Sequence, residues 1–213
     1  VIFSRSYADC AQVIIAIEDE KGTTSEVGFI VDPEKYRPGY EVPSDFRSYW
    51  RKQLKALRKD KPQVSLTPVE IPDPADAERF EAYRIEISMP EGRPARGFIA
   101  YPRNASSRSL PIAYLVHAAG VSGDWCHAKL SNALQYAKFG NGAIGLDINA
   151  HGYEEGLPDE YYKDLENGEL KGYSSRPLKD RESFYFSLMY LRDIRALDFA
   201  CSLPQSGHLP STS

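Results

Sequence analysis

Two continuous apolar runs separated by one helical segment restrict this chain more than any other feature. PIAYLVH (111–117) and AIGLDIN (143–149) do not alternate in polarity, as expected of strands covered on both faces. Between them, DWCHAKLSNALQYAKFGNG (124–142) has helical periodicity and stops at Gly140-Asn141-Gly142, a strong C-terminal signal. Strand, helix, strand in that order predicts a parallel pair joined by a right-handed crossover. RESFYFSLMYLRDIRALDFACSLPQ (181–205) then reads as a long helix, with Phe184, Leu188, Leu191, Leu197 and Phe199 as core positions. The expected fold class is α/β, with parallel core strands and crossover helices. A further strand is expected after the last helix, but the closing residues SGHLPSTS are polar and predict none.

Upstream the pattern is different. QVIIAIE (12–18) and VGFIVD (27–32) are β-branched runs around a polar turn and predict a short hairpin. PEKYRPGYEVP (33–43) reads as a linker. SDFRSYWRKQLKALRK offers Ser44 as an N-cap and an apolar helix face of Phe46, Tyr49, Trp50, Leu54 and Leu57. VSLTPVEIP (64–72), interrupted by prolines, suits an edge strand. YRIEIS (83–88) alternates Tyr83, Ile85 and Ile87 inward, and ARGFIAYP (95–102) follows a turn, so these two predict an antiparallel pair. The expected organisation is a hairpin and linker over 1–43, an α/β body over 44–205, and a divergent tail over 206–213.

Composition excludes several classes. A hydrophobic fraction of 42% over 213 residues supports a core. A net charge of −4, with no block of Lys or Arg, gives no reason to expect nucleic acid. No apolar run reaches membrane-spanning length. Cys10, Cys126 and Cys201 lie far apart without a CxxC pair and read as free thiols. His127 follows Cys126 without partners at helical spacing, so neither metal nor cofactor is expected.

The segment LVHAAGVSGDW (115–125) carries the main chemical question. GVSGD nearly matches G-x-S-x-G, the strained turn that lifts a nucleophilic serine above a sheet. Two features oppose Ser122 as nucleophile: Asp124 stands where the last glycine belongs, and five residues separate Ser122 from the strand end at His117. Asp124 reads instead as the N-cap of the following helix. His117-Ala118-Ala119-Gly120 has the small side chains that let an acyl oxygen approach backbone N–H groups. Ala119 is the predicted oxyanion donor, and His117 is read as orienting the loop. NAHGYEEG (149–156) follows the next strand at its ligand-binding end, where His151 either lines the mouth of a site or shapes a turn, with His151 and Tyr153 as the candidate substrate-facing residues. Glu154, Glu155, Asp159, Glu160 and Asp164 read as a solvated acidic face.

FRSYWRKQLKAL, VHAAGVSG, GLDINAHGYEEGLP and RESFYFSLMYLRDIRALDFACSLP occur in this order and together resemble the acetyl xylan esterase / cephalosporin C deacetylase family of α/β-hydrolases. The resemblance covers about residues 44–204, and the hairpin resembles the end of a preceding β-domain. It implies hydrolysis of acetyl esters on xylan or small molecules by a Ser-His-Asp triad, without cofactor, and favours a periplasmic or secreted setting. It also implies that the strand carrying G-x-S-Q-G, and with it the triad, belongs after SLP. The expectation is therefore the front of an esterase, inactive by itself and prone to self-association. The alternative is a non-catalytic carbohydrate-binding or structural remnant.

Overall fold

The structure, a computed structural model, describes residues 10–116, 118–176 and 180–207. The chain forms two compact units, 1–48 and 49–213. In the first, β1 (Ala11–Glu18) and β2 (Thr24–Val31) pair antiparallel from Ala11 opposite Val31 to Glu18 opposite Thr24. Period-two geometry puts Val13, Ile15 and Ile17 on one face with Val27 and Phe29, and most of that face is exposed. α1 (Phe46–Lys59) begins two residues after Ser44, so Ser44 lies one residue too early to cap it.

The second unit contains β3 (Val64–Pro68), α2 (Pro74–Arg79), β4 (Phe80–Ile87), β5 (Ala95–Pro102), β6 (Ile112–Val116), α3 (Leu130–Ala137), β7 (Ile144–Ile148), α4 (Asp159–Asn167) and α5 (Tyr185–Ser202). The strands form one mixed sheet in the order β3-β4-β5-β7-β6. Only β6 and β7 are parallel; β3, β4 and β5 run antiparallel to their neighbours. The architecture is α/β, and among these strands the parallel pairing is that of the pair framing α3. Among the described residues no helix is long and apolar enough to cross a membrane.

Alternation along the strands sorts the core into two layers. Ile85, Ile87, Ile99, Ile144, Leu146 and Ile148 pack with Ala196 and Ala200 of α5. Phe80, Ala82, Phe98 and Ala100 pack on the other face with Ala133, Leu134 and Ala137 of α3. β7 is buried at every position because it lies between β5 and β6 and under both helices. Its even-numbered residues feed the α5 layer, while Gly145 and Asp147 face α3.

Four expectations are corrected here. PIAYLVH is not buried on both faces: β6 is the edge strand, and Leu115 and Val116 are 53% and 59% exposed. A continuous apolar run reports hydrophobicity, and the neighbours that would cover it are a matter of strand order. The predicted core positions of α5, Phe184, Leu188, Leu191, Leu197 and Phe199, are all only partly buried. The buried stripe is Arg192, Ala196 and Ala200, at four-residue spacing. Alanines let the helix approach the sheet, and Arg192 is tolerated because Nε donates to the Arg93 carbonyl and Nη1 to the Ala150 carbonyl. Asp124 does not cap α3, since it lies in a separate 3-10 turn over Asp124–Cys126. The buried Asp147 carboxylate takes the Lys129 N–H at the start of α3 instead, at 3.0 Å. Finally, Glu155 is buried rather than solvated; its carboxylate accepts from the Ala128 N–H and from Asn149 Nδ2. Burial still raises its pKa, because those bonds only partly replace water.

After α5 the chain returns beside the leading end of β6. Leu110 forms a parallel bridge with Ser206; its N–H donates to the Gln205 carbonyl and its own carbonyl accepts from the Gly207 N–H.

Candidate functional site

The loop leaving β6 lies at the C-terminal end of the parallel pair, where open α/β sheets receive ligands. The Gly120 N–H donates to the Ala118 carbonyl at 3.0 Å, closing a three-residue turn centred on Ala119. A trans peptide points the Ala119 N–H opposite to the Ala118 carbonyl, and hence out of this turn. Among the described residues none accepts from that N–H. Among the described residues, Ala119 therefore presents a backbone donor with no acceptor and only a methyl beside it. His117 lies outside the described residues, so its predicted orienting role has no structural description.

The carbonyl of Ala119 is held from behind. His151 Nε2 lies 3.3 Å from it, and His151 Nδ1 lies 2.8 Å from the Tyr185 hydroxyl. A carbonyl can only accept, so Nε2 carries the proton and Nδ1 accepts from Tyr185. This arrangement needs neutral imidazole. Burial pushes the His151 pKa down to about 4, and the neighbouring Arg192 and Arg93 guanidiniums push the same way. The turn that presents His151 is set by Asn149, whose Oδ1 accepts from the His151 and Gly152 N–H groups at 2.9 and 3.0 Å. Asn149 Nδ2 in turn binds Glu155, which holds Ala128. One network thus ties the NAHGYEE segment to both ends of the HAAG loop region.

His151 and Tyr153, predicted to face substrate, are both fully buried. Tyr153 stacks on His151, with ring centroids 6.0 Å apart, and meets the Cys126 thiol at 3.8 Å. They lie beneath the loop and support it. The reason is the excursion over 150–176, which carries α4 and a satellite core of Val121, Tyr153, Tyr162 and Leu170. Tyr161, Tyr173 and Tyr185 border the same cluster.

The Ser122 hydroxyl is not part of this network's hydrogen bonds and donates to the Glu166 carboxylate. Neither His127 nor His151 is hydrogen-bonded to a serine: His127 Nε2 lies 3.0 Å from the Val121 carbonyl, and His151 is engaged as above. The glycines of GVSGD have another use. A methyl built at Gly120 would stand 2.6 Å from the Trp125 ring, and one built at Gly123 would stand 2.2 Å from its indole nitrogen. They leave room for Trp125 to lie against the loop backbone, which accounts for both glycines without a nucleophile elbow.

Sequence reasoning missed Asn149, Glu155, Tyr185 and Arg192. The run Asn-Ala-His-Gly offers a local signal for the Asn149 turn. Tyr185 and Arg192 reach the site from a helix more than 30 residues away in sequence, and no local pattern announces them.

Residues 31–208 match the acetyl xylan esterase family. Acetyl esterase Axe7A of Xylanibacter ruminicola is 28% identical over 181 residues, which are 84% of this chain and 38% of that protein. Among solved structures, the acetyl xylan esterase from Paenibacillus sp. R4 shares the fold with a TM-score of 0.58 at 23% identity, over 82% of this chain and 52% of that one. Acetyl xylan esterase 1 from Thermoanaerobacterium sp. JW/SL YS485 superposes with a TM-score of 0.52 at 18% identity, over 78% and 48%. The chain thus spans between 38% and 52% of these relatives. With a match running through both apolar strands, the HAAG loop and the long helix, the chain belongs to the acetyl xylan esterase family.

Proposed function

We propose that these residues form the front part of an α/β-hydrolase sheet that acts on acetyl esters of polysaccharide, and that Ala119 supplies one oxyanion donor. The unengaged Ala119 N–H, backed by neutral His151, carries this reading. Such a donor is useful only if it is fixed before negative charge develops, and the Tyr185–His151–Ala119 chain fixes it. In an active protein containing these residues, Ala119→Pro would remove the N–H and cost about 10²- to 10³-fold in kcat, the loss typical of one oxyanion donor. KM would change little.

An oxyanion donor stabilises an attack that another group must launch. The 213-residue chain by itself is therefore expected to release no acetate from p-nitrophenyl acetate or acetylated xylan above the uncatalysed rate. Acetate release that disappears in Ser122→Ala would overturn this and make Ser122 the nucleophile.

The open edge of β6 bears on how the chain behaves alone. An exposed strand edge with Leu115 and Val116 facing solvent invites pairing with a second copy. The chain is expected to elute ahead of a 23.9 kDa monomer in gel filtration, and Val116→Lys is expected to shift it toward the monomer. A monomeric parent, or a variant that elutes unchanged, would count against the edge as the contact.

A further inference from the structure

We propose that the exposed indole of Trp125 is a stacking platform for a pyranose ring, placed beside the Ala119 N–H so that the glycan is positioned by its sugar. The inference rests on the acetyl-ester reading only for the direction of the acetyl group; the platform itself rests on three observations. Trp125 is 66% exposed although it is the largest side chain of the loop region. It is nevertheless confined, because its ring lies against the bare backbone at Gly120 and Gly123, with clearances that would not admit a methyl at either position. An aromatic held on one side and open on the other loses little freedom when a ligand stacks on it. Gly120 adjoins Ala119, so the indole edge lies one residue from the free donor.

The surroundings choose the ligand class. An apolar ring alone would suit an acyl chain or a nucleobase equally well. Here the 3-10 turn carrying Trp125 also presents the exposed Asp124 carboxylate, paired with Lys129 Nζ at 2.5 Å, and Ser122 lies nearby on Glu166. Asp124 also borders a neighbouring groove of about 650 Å³, whose other lining residues include Ser122, Lys129, Ser131 and Asp159 but neither Trp125 nor Ala119. A pyranose has slightly positive C–H faces that complement the negative face of an indole. Its edges carry hydroxyls that both donate and accept, matching carboxylate, ammonium and serine groups. An acyl chain leaves that polar rim unused. The carboxylates of Asp124, Asp159 and Glu166 disfavour phosphate-bearing ligands.

The test reads binding, not turnover. Acetylated xylo-oligosaccharides are titrated into the 213-residue chain by calorimetry and by fluorescence, where Trp50 and Trp125 are the two emitters. Saturable binding is expected, tighter for the tetraose than for the monosaccharide, with an emission change that is absent in Trp125→Ala. Affinity is expected to fall about three- to tenfold in Trp125→Ala and less in Trp125→Phe, as for loss of one aromatic stacking contact. Because the ring is exposed, the melting temperature of both variants should match the parent. Unchanged affinity in a folded Trp125→Ala chain overturns the proposal, as does absence of binding to the parent at millimolar oligosaccharide. Failure of the acetyl-ester reading shows instead as absence of acetate release by an active-length protein, which leaves the sugar titration unaffected.

Discussion

Replacing Gly145 by alanine is expected to destabilise the chain by about 3 kcal/mol or more, the upper end for overpacking a core, enough to remove cooperative folding from a domain of ordinary stability. Gly145 lies in β7 directly under α3. A methyl there would stand 2.0 Å from the Ala133 carbonyl oxygen and 2.5 Å from the Ala137 nitrogen. Those are backbone atoms of the helix, so no rotamer change relieves the overlap and α3 must lift as a body. Lifting it opens the layer formed with Phe98 and Ala100, and it draws Lys129 away from the Asp147 carboxylate that receives its N–H. The loop carrying Ala119 runs directly into α3, so its position would be lost too. Gly140→Ala is the control. Gly140 has φ of +58° and nothing within 4 Å of a built methyl, so only backbone strain of about 1 kcal/mol is expected. Urea unfolding followed by circular dichroism separates the two. A Gly145→Ala midpoint as close to the parent as that of Gly140→Ala would show that α3 is not clamped to β7.

Acidification is expected to unfold the site through His151. An exposed histidine in the unfolded chain takes a proton near pH 6.5, whereas buried His151 resists until about 4. Between those values the unfolded state binds more protons, so stability rises with pH across the window. The contribution is complete above about 6.5 and is lost progressively as pH falls to 4. A shift of this size corresponds to roughly 3 kcal/mol. His151→Gln isolates it, because a carboxamide can donate to the Ala119 carbonyl and accept from the Tyr185 hydroxyl without titrating. The variant is expected to lie within about 1 kcal/mol of the parent at pH 7, the scale of one exchanged hydrogen bond, and to lose less stability on acidification. Glu155, whose pKa is raised by burial, titrates in both proteins and cancels from the comparison. Parallel stability profiles for the two chains would show that His151 is not held neutral beneath the loop.

The sequence was most legible where a short-range pattern coincides with a short-range cause. Alternation in YRIEIS marks the inward face of β4 because a strand turns each side chain by half a revolution. The run AIGLDIN marks a strand buried throughout. The same reasoning read PIAYLVH as equally buried. Nothing within seven residues distinguishes an edge strand from a central one, since the distinction depends on which strand pairs beside it. The acidic run over 154–164 contains one buried carboxylate among exposed ones, and only its hydrogen bonds to Ala128 and Asn149 single it out.

GVSGD shows the same division at the scale of one loop. Its residue types admitted a serine nucleophile or plain packing, and motif spacing weakened the first. The packing of Trp125 on Gly120 and Gly123 supplied the positive account. The sequence by itself determined the family, the strand–helix–strand unit and the loop with its small side chains, because each is written in contiguous residues. Only the tertiary structure decided that His151 and Tyr153 are buried, with His151 at the Ala119 carbonyl, and that β6 forms an edge. Those outcomes depend on Tyr185, Arg192 and Glu155 arriving from distant segments, and burial and hydrogen-bond partners of that kind are set by the packing of the whole sheet.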